Sequence, residues 1–397
     1  MAKKLLVLGA GIYQVPLIEC AKSLGIYTIV ASIPGNYPGF ALADEIAYVD
    51  TTDAEGLVAL AREKKIDGVC TAGTDVSVPA LGAVCDALGL KGVSRSAAQI
   101  AADKALMKDA FEREGVRVAE SVKVAASIDL ADAADVCKTI GYPVIVKAVD
   151  SSGSRGITRV GSEEELEAAL EAAKQVTRSD TILIERFLEG DEFGAQAFVQ
   201  DGILEFCLPH GDYVFHGNTG VPIGHFAPID MDEVADEARE QVELAIRAVG
   251  LDNCALNIDF ILCDGQVYVL EIGARSGATC LAELVGIYYG YNYYEKIVRV
   301  ALGERVSFAS TLEKPVPNAS HLLMSDKDGV IVSQVNENPT DDDSVLDVQF
   351  DYQVGDTVHA FRIGPHRIGH VITKGDTLQE AKDNLERAML RVHIEVR

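Results

Sequence analysis

Two acidic residues stand in apolar surroundings within the segment NCALNIDFILCDGQVYVLEIGARSGAT, residues 253–279. Asp259 and Glu271 each occur in a β-type run, and Asp264-Gly265 between the runs is a strong hairpin signal. A buried carboxylate needs a compensating charge or several hydrogen bonds. Two such acids in one hairpin therefore suggest that they hold a cation.

The length of the hairpin loop decides whether the two acids can meet. A strict two-residue turn would send Asp259 and Glu271 to opposite faces of the ribbon, whereas a three- or five-residue loop would place both on one face. We expect the odd loop, because adjacent acids are suited to binding a metal ion. Arg275 follows in a glycine- and serine-rich turn, where it could contact a phosphate or a carboxylate. The alternative is an ordinary hairpin whose acids face solvent.

Composition limits the class of protein. The chain has 397 residues, enough for two or three domains, and a net charge of -26, which disfavours nucleic acid and anionic membranes as partners. No apolar run is long enough to span a bilayer, and the N-terminus leads straight into a predicted strand, so we expect a cytoplasmic protein. The eight cysteines have no close pair, which indicates neither disulfides nor a zinc site.

Short apolar strands alternate with helical stretches over residues 3–95, which predicts a parallel sheet with helices on both faces. The first turn begins like a dinucleotide-binding fingerprint, but Gln14 stands where the third glycine belongs. Ser32 replaces the acid that would hold a ribose, so nicotinamide binding is disfavoured. This turn, together with Gly73-Thr74-Asp75, could form the floor of a small-substrate site.

Two lysines and a polar loop follow. Residues 96–116 are predicted to form one helix that contains Lys104. Lys147 lies in an apolar strand, on the same side as its neighbours two residues away, and should be partly desolvated unless it has an anionic partner. The loop from Asp150 to Gly156 could wrap phosphate oxygens with its backbone N–H groups, although it is not a Walker loop.

Histidines are concentrated between residues 205 and 230. His210, His216 and His225 lack tight metal-ligand spacing, so a zinc site is not indicated. A structural or solvent-facing role is favoured, and a loop that covers the substrate is the alternative. After about residue 310 a third unit is predicted, with strands near 321–324, 329–334, 357–363 and 367–373 and a helix after them.

Five motifs follow one another along the chain. These are an Asp-Lys pair on a helix, a lysine on a strand, a Gly/Ser loop, the segment ILIERFLEGDEF, and a paired Asp and Glu followed by an Arg. In the order of these motifs the chain resembles the ATP-grasp superfamily. That superfamily includes biotin carboxylase, carbamoyl-phosphate synthetase, D-alanyl-D-alanine ligase and the L-amino acid ligases. The resemblance implies an α/β fold of three domains. These are an N-terminal parallel-sheet domain (1–95), a central ATP-grasp domain (96–309) with a mobile lid at about 117–186, and a C-terminal α+β lobe (310–397).

The resemblance also implies roles for individual residues. Lys104 and Lys147 would bind the phosphates of ATP, and Arg275 would contact the transferred phosphate or the substrate carboxylate. Asp259 and Glu271 would hold Mg²⁺, with Mn²⁺ as an alternative. The remaining nucleotide contacts would come from the phosphate loop (Ser151, Ser152, Gly153, Ser154 and Gly156), the adenine site (Glu185, Phe187 and Leu188) and the ribose site (Glu192). Many members carry Asn two residues after the metal-binding Glu, where this chain has Gly273, and this departure leaves the number of metal ions open.

The implied activity is an ATP-dependent carboxylate–amine ligase that forms an amide through an acyl phosphate and releases ADP and phosphate. Small L-amino acids are the first choice of substrate, because the hairpin and the C-terminal lobe resemble that branch. A bicarbonate-using carboxylase or carbamoyl-phosphate type of enzyme is the alternative within the superfamily. A non-catalytic ATP-binding regulator is the alternative from another functional class. The resemblance also allows a homodimer.

Overall fold

The computed structural model describes residues 2–151, 155–216, 220–229 and 232–397. The first unit alternates strands and helices, as predicted. Its elements are β1 (Lys4–Leu8), α1 (Val15–Ser23), β2 (Tyr27–Ser32), α2 (Pro38–Leu42), β3 (Glu45–Tyr48), α3 (Ala54–Lys64), β4 (Gly68–Cys70) and α4 (Val78–Leu88). The strands pair in parallel in the order β3-β2-β1-β4.

Gln14 fills the glycine turn after β1. Its Oε1 accepts a hydrogen bond from the backbone N–H of Gly11 (2.9 Å), and its Nε2 donates to the carbonyl of Ala72 (2.5 Å). The side chain thus occupies the turn where the pyrophosphate of a dinucleotide lies in the Rossmann motif. The expectation that the turn does not bind nicotinamide stays a prediction.

The long helix predicted over residues 96–116 is instead two helices, α5 (Arg95–Ala102) and α6 (Lys104–Glu114). Asp103 separates them because its backbone is extended and its side chain accepts hydrogen bonds from the N–H groups of Ala105 and Leu106. Asp is a favoured N-cap residue, which the helical pattern alone did not reveal. As a result, Lys104 lies at the start of α6.

A small antiparallel sheet follows in the order β5-β8-β6-β7. Its elements are β5 (Ser121–Ala125), α7 (Leu130–Ile140), β6 (Val144–Ala148), β7 (Ile157–Val160), α8 (Glu163–Val176) and β8 (Thr181–Arg186). The two helices pack on the sheet around one buried apolar cluster that includes Val146 and Leu166.

An eight-stranded antiparallel sheet forms the centre of the molecule. Its first elements along the chain are β9 (Asp191–Gln200), β10 (Ile203–His216), β11 (Gly220–Ala227), α9 (Asp232–Val249), β12 (Cys254–Cys263), β13 (Gln266–Gly273), α10 (Leu281–Tyr289) and α11 (Tyr293–Ala301). Leu6 in β1 and Val269 in β13 belong to one continuous cluster of buried side chains. The N-terminal unit is therefore packed directly against the central sheet.

The C-terminal region extends this sheet. It contains β14 (Asn318–Leu323), β15 (Gly329–Asn336), β16 (Val345–Phe350), β17 (Thr357–Val358), β18 (Gly369–Lys374), α12 (Leu378–Met389) and β19 (Val392–Val396). The central sheet has the order β13-β12-β9-β10-β11-β14-β18-β16, and a three-stranded sheet has the order β17-β15-β19. The strand predicted over 357–363 is wrong beyond Val358, and β16 was not predicted. The domain boundaries at 95/96 and 309/310 stay predictions, although the central sheet continues across the second.

Within the described part of the chain, no helix combines the length and the apolar character that crossing a bilayer requires.

Candidate active site

The hairpin of β12 and β13 brings the two acids together by a route that differs from the prediction. Cys263 pairs with Gln266, so Asp264 and Gly265 form a two-residue turn with positive φ angles of 51° and 72°. The expected three- or five-residue loop is therefore wrong, because Asp-Gly adopts the tight turn that matches strand twist.

A β-bulge restores the alignment that the short turn would have prevented. Phe260 pairs with Val269, but Asp259 pairs with Glu271, so Leu270 is the extra residue in β13. One extra residue shifts the alternation of side chains by one position. The two carboxylates consequently lie opposite each other on one face, as the sequence predicted for a different reason.

Asp259 lacks a cationic partner of its own in the hairpin. Its Oδ1 accepts a hydrogen bond from Nδ2 of Asn257 at 3.2 Å. Burial is the main cause that raises the pKa of Asp259 well above its usual value, and the neighbouring Glu271 adds to the effect. Two carboxylates in this arrangement are the oxygen donor set that Mg²⁺ prefers, and a divalent ion between them would relieve their repulsion.

Lys104 links the hairpin to the phosphate loop. Its Nζ lies 2.9 Å from Oε2 of Glu271 and donates a hydrogen bond of 2.7 Å to the backbone carbonyl of Ser151. Burial acts to lower the pKa of Lys104, but Glu271 and Asp75 outweigh it and raise the pKa. The lysine is therefore a cation next to the acids.

Lys147 and Glu185 form a buried ion pair on the small antiparallel sheet. Their side chains are 2.5 Å apart, and Nζ of Lys108 lies 3.3 Å from the other oxygen of Glu185. Burial acts to raise the pKa of Glu185, but the two lysines outweigh it and lower the pKa. Burial also lowers the pKa of Lys108, a residue that the sequence did not single out. The expected anionic partner of Lys147 is thus a protein carboxylate in this structure.

Glu185 keeps an acceptor atom for a ligand. Its Oε1 is buried and has Nζ of Lys108 at 3.3 Å, which is beyond the usual length of a strong charge-assisted hydrogen bond. A carboxylate oxygen has more than one lone pair, so a donor that enters with a ligand can still bind to it. An exocyclic amino group of a nucleotide base is such a donor, and the residues present therefore fit ATP at this position.

The other residues predicted to contact the nucleotide lie after β8, at the start of β9 and in the phosphate loop. Phe187 and Leu188 follow β8 and are partly exposed, with the guanidinium of Arg159 lying 4.8 Å from the ring of Phe187. Glu192 is exposed at the start of β9. In the phosphate loop, the hydroxyl of Ser151 donates to the carbonyl of Arg155, while Ser152, Gly153 and Ser154 lie outside the described residues. Gly156 has a φ of +66°, a conformation that glycine adopts without strain.

Arg275 is held by the N-terminal unit. Asp75, two residues after Gly73 in the turn that follows β4, binds the guanidinium through two hydrogen bonds of 2.8 Å. Burial acts to raise the pKa of Asp75, but Arg275 outweighs it and lowers the pKa. In this structure Arg275 therefore binds a carboxylate of the protein itself, where the sequence predicted a phosphate or a substrate carboxylate.

Gly273 leaves room for Asp75. A Cβ atom at position 273 would lie only 2.9 Å from Oδ1 of Asp75, closer than Cβ atoms approach in real structures. The absence of a side chain at position 273 thus allows a carboxylate from a different part of the chain to approach. This carboxylate lies 198 positions away in the sequence, so no local pattern could have revealed it.

Two cavities meet at Glu271. One, of about 350 Å³, is lined by Lys104, Ser151 and Glu271 on the side of the phosphate loop. The other, of about 860 Å³, is lined by Asp259, Glu271 and Arg275 and by the glycine turn of the N-terminal unit. Glu271 and Asp75 line both cavities, whereas Asp259 lines the larger one, so Glu271 lies at the junction between the phosphate side and a larger pocket.

The larger cavity also contains a cluster that sequence reasoning assigned to structure or solvent. His210 and His225 each place Nδ1 within hydrogen-bonding distance of the same oxygen of Asp212, at 2.9 and 2.6 Å. Both imidazoles are buried. His210 and Asp212 are two residues apart on β10 and share one of its faces, which was the available signal. Their pairing with His225 depends on the register of β10 and β11.

Comparisons with known proteins agree with this architecture. A family model of the D-ala D-ala ligase C-terminus matches residues 111–290, and a model of the L-amino acid ligase C-terminal domain 2 matches residues 321–397. A formate-dependent phosphoribosylglycinamide formyltransferase of Herminiimonas arsenicoxydans is 30% identical over 351 residues, which cover 84% of this chain and 81% of that protein.

Solved structures show the same fold over the whole chain. The crystal structure of phosphoribosylglycinamide synthetase from Anaerococcus prevotii superposes with a TM-score of 0.87 at 34% identity and covers 100% of both chains. That of L-amino acid ligase from Bacillus licheniformis has a TM-score of 0.81 at 20% identity, covering 100% of this chain and 99% of the other. At this identity the second similarity shows the fold alone.

Fold and site together define a nucleotide-dependent ligase, and the chain belongs to the ATP-grasp superfamily of carboxylate–amine ligases. It is an ATP-dependent ligase that forms carbon–nitrogen bonds. The predicted α/β fold with three domains is confirmed. Enzymes of this superfamily generally use ATP and Mg²⁺.

Proposed function

We propose that this ligase joins two small L-amino acids through an acyl phosphate. The observation that carries the proposal is the position of Glu271 at the junction of the phosphate-loop cavity and a pocket of about 860 Å³ that Asp259 also lines. A carboxylate bound in the larger pocket would approach the terminal phosphate of ATP at the acidic pair. Amide formation in the same pocket then needs no movement of the activated acid.

Each residue of the site has a role in this proposal. Asp259 and Glu271 hold Mg²⁺, which when bound neutralises phosphate charge and orients the transferred group. Lys104 and Lys147 bind phosphate oxygens, Glu185 accepts from the adenine amino group, and Arg275 orients the substrate carboxylate or the transferred phosphate.

The phosphate loop of residues 151–156 excludes water from the acyl phosphate in this proposal, since such an intermediate is readily hydrolysed. Phe187 and Leu188 border the base, and Glu192 binds the ribose. These assignments rest on the match between this chain and the family motifs.

The charges around the larger pocket favour amino acids over phosphorylated substrates. Among the described residues that line it, the two arginines are both paired with carboxylates, Arg275 with Asp75 and Arg367 with Asp351. A phosphate group of a substrate would need cations that are free of such partners. A zwitterionic amino acid places less demand on positive charge, and the match to the L-amino acid ligase C-terminal domain 2 supports the same choice.

The test is ADP release by the purified enzyme with MgATP and the standard L-amino acids, offered singly and in pairs. The proposal expects ADP release that requires two amino acids and a dipeptide of matching mass. Release that requires bicarbonate instead would favour the carboxylase or carbamoyl-phosphate type. Release that requires glycine and a phosphorylated amino sugar would contradict the argument from pocket charge.

A further inference from the structure

The cluster of His210, Asp212 and His225 has a defined arrangement of protons. Burial acts to raise the pKa of Asp212, but His225 and His210 outweigh it and lower the pKa, so the carboxylate is ionised at neutral pH. An ionised carboxylate can only accept hydrogen bonds. Both imidazoles must therefore donate from Nδ1, and a neutral imidazole that donates from Nδ1 has its lone pair on Nε2.

The lone pair of His210 has no partner in the described part of the protein. Its Nε2 is buried and accepts no hydrogen bond there, although the ring lines the larger cavity. His210 has a relative exposure of 3%. A buried acceptor that faces a cavity is a position for a donor from a ligand.

The central sheet places this lone pair on the same face as the acidic pair. Glu271 pairs with Asp259, Asp259 with Gly194, and Gly194 with His210, so these residues form one row across β13, β12, β9 and β10. Two strand spacings separate the backbones of Asp259 and His210, about 10 Å. The imidazole of His210 and the carboxylate of Asp259 point to the same side of the sheet across this gap.

Gly194 allows the imidazole to lie over the middle of this row. A Cβ atom at position 194 would be 2.7 Å from Nε2 of His210, so any larger residue would displace the ring. The ring edge that carries the lone pair therefore lies above Gly194, between the backbone of β10 and that of Asp259.

A transition metal held by the same three residues fits the distances less well. Nitrogen and oxygen ligands lie about 2.0–2.2 Å from zinc in a tetrahedral site, which separates ligand atoms from one another by more than 3 Å. The Nδ1 atoms of His210 and His225 are instead 2.9 and 2.6 Å from the shared oxygen of Asp212. These are hydrogen-bond distances, so the geometry favours a proton between each pair of atoms.

We propose that His210 is the catalytic base that accepts the proton of the attacking amine, and that Asp212 and His225 are positioning residues for it. The inference rests on the proposed ligase function, and it supplies a proton acceptor that the family motifs matched in this chain do not contain. The neutral amine forms a C–N bond with the carbonyl carbon of the acyl phosphate. The bond between this carbonyl carbon and the phosphate oxygen breaks, and phosphate leaves with the bonding electron pair.

Before this attack, the ammonium group of the acceptor amino acid passes one proton to Nε2 of His210, which leaves the neutral amine. The resulting imidazolium is stabilised by the carboxylate of Asp212 and releases this proton to solvent, while the second proton of the attacking nitrogen passes to the departing phosphate. The lone pair of Nε2 is thereby restored for the next turnover, and the protons balance. The Nδ1 hydrogen bond to Asp212 keeps the imidazole in the tautomer that can accept a proton.

The substitution His210→Asn separates the two functions of the side chain. The amide nitrogen of Asn can donate to Asp212 in place of Nδ1, whereas nothing replaces the lone pair of Nε2. His393→Asn is the matched control, since His393 lies on β19 and is largely exposed. Two assays are compared at neutral pH with the standard L-amino acids as carboxylates and as acceptors.

The first assay uses hydroxylamine as the acceptor and measures hydroxamate. Hydroxylamine is already unprotonated at neutral pH and is strongly nucleophilic, so this assay reports formation of the acyl phosphate without need of a base. The second assay measures dipeptide. We expect His210→Asn to lose roughly 100-fold in dipeptide formation, in the range that general-base catalysis supplies, and to keep hydroxamate formation.

Asp212→Asn should show the same selective loss on a smaller scale, because a purely structural residue would lower both products together. Equal retention or equal loss of the two products in a folded His210→Asn would overturn the proposal. Stoichiometric transition metal in the wild type that disappears in His210→Asn would also overturn it, in favour of a metal site. A wild type that forms neither hydroxamate nor dipeptide would reject the amino acid ligase function itself, and the base assignment with it.

Discussion

Asp259→Asn should make the metal-free protein more stable while it abolishes activity. The raised pKa of Asp259, caused first by burial and then by Glu271, means that its charge destabilises the folded state. A buried polar group without full compensation costs about 1–3 kcal/mol in protein mutational data, so removal of the charge should add an energy of that order to the free energy of unfolding. The Asn side chain still provides an oxygen for the hydrogen bond from Asn257.

The sign of the pH dependence follows from the direction of the shift. Above the folded-state pKa, Asp259 is ionised in both the folded and unfolded states, and only the folded state is destabilised by the charge. Below the ordinary value of 3.8 it is protonated in both states, and the difference disappears. The stability advantage of Asp259→Asn should therefore be largest above the folded-state pKa of Asp259 and shrink as the pH falls towards 3.8.

The assay is urea unfolding in EDTA at several pH values, followed by the same measurement with MgCl₂ and a non-hydrolysable ATP analogue. These ligands should stabilise the wild type much more than the variant, since only the wild type has both carboxylates for the ion. Asp264→Asn is the matched control, because it makes the same chemical change in the exposed turn of the same hairpin. A variant that is less stable than the wild type at pH 8 without metal would refute the reasoning.

Three further predictions test the surroundings of the site. Lys147→Met should remain folded, because Lys108 still lies 3.3 Å from Glu185, but its ADP release should fall roughly 100-fold. The control Lys138→Met, on the surface, should leave ADP release unchanged, and normal turnover in Lys147→Met would contradict the phosphate-binding role. Asp75→Asn should lower the free energy of unfolding by about 1–3 kcal/mol, because it leaves the buried guanidinium of Arg275 without its carboxylate. Urea unfolding measures this change, and an unchanged free energy of unfolding would contradict the prediction. Gly194→Ala should lower the free energy of unfolding by about 1–3 kcal/mol, because the added Cβ crowds His210, and should suppress dipeptide formation. The control Gly161→Ala should have neither effect, since the nearest atom to its added Cβ is 3.5 Å away. Equal stability of the two variants in thermal unfolding would count against the close contact.

Local patterns in the sequence predicted much of the fold. The alternation of short strands and helices over residues 3–95 predicted the parallel sheet, and Asp264-Gly265 predicted the hairpin turn, because both depend on neighbouring residues. The helix over residues 96–116 was predicted without its interruption at Asp103, since the side chain of Asp103 ends one helix and begins another while the helical pattern continues. The order of motifs was sufficient to indicate the ATP-grasp superfamily.

The sequence by itself determined that this chain carries acids, lysines and a phosphate loop in the order of a ligase, since these are properties of short segments. Only the tertiary structure decided how they meet. The bulge at Leu270 set the pairing of Asp259 with Glu271, and packing of the N-terminal unit brought Asp75 to Arg275. Strand register placed Gly194 beneath His210. Such contacts depend on strand register and on packing between distant segments, and a shift of one residue in register would move the side chains of that strand to the opposite face.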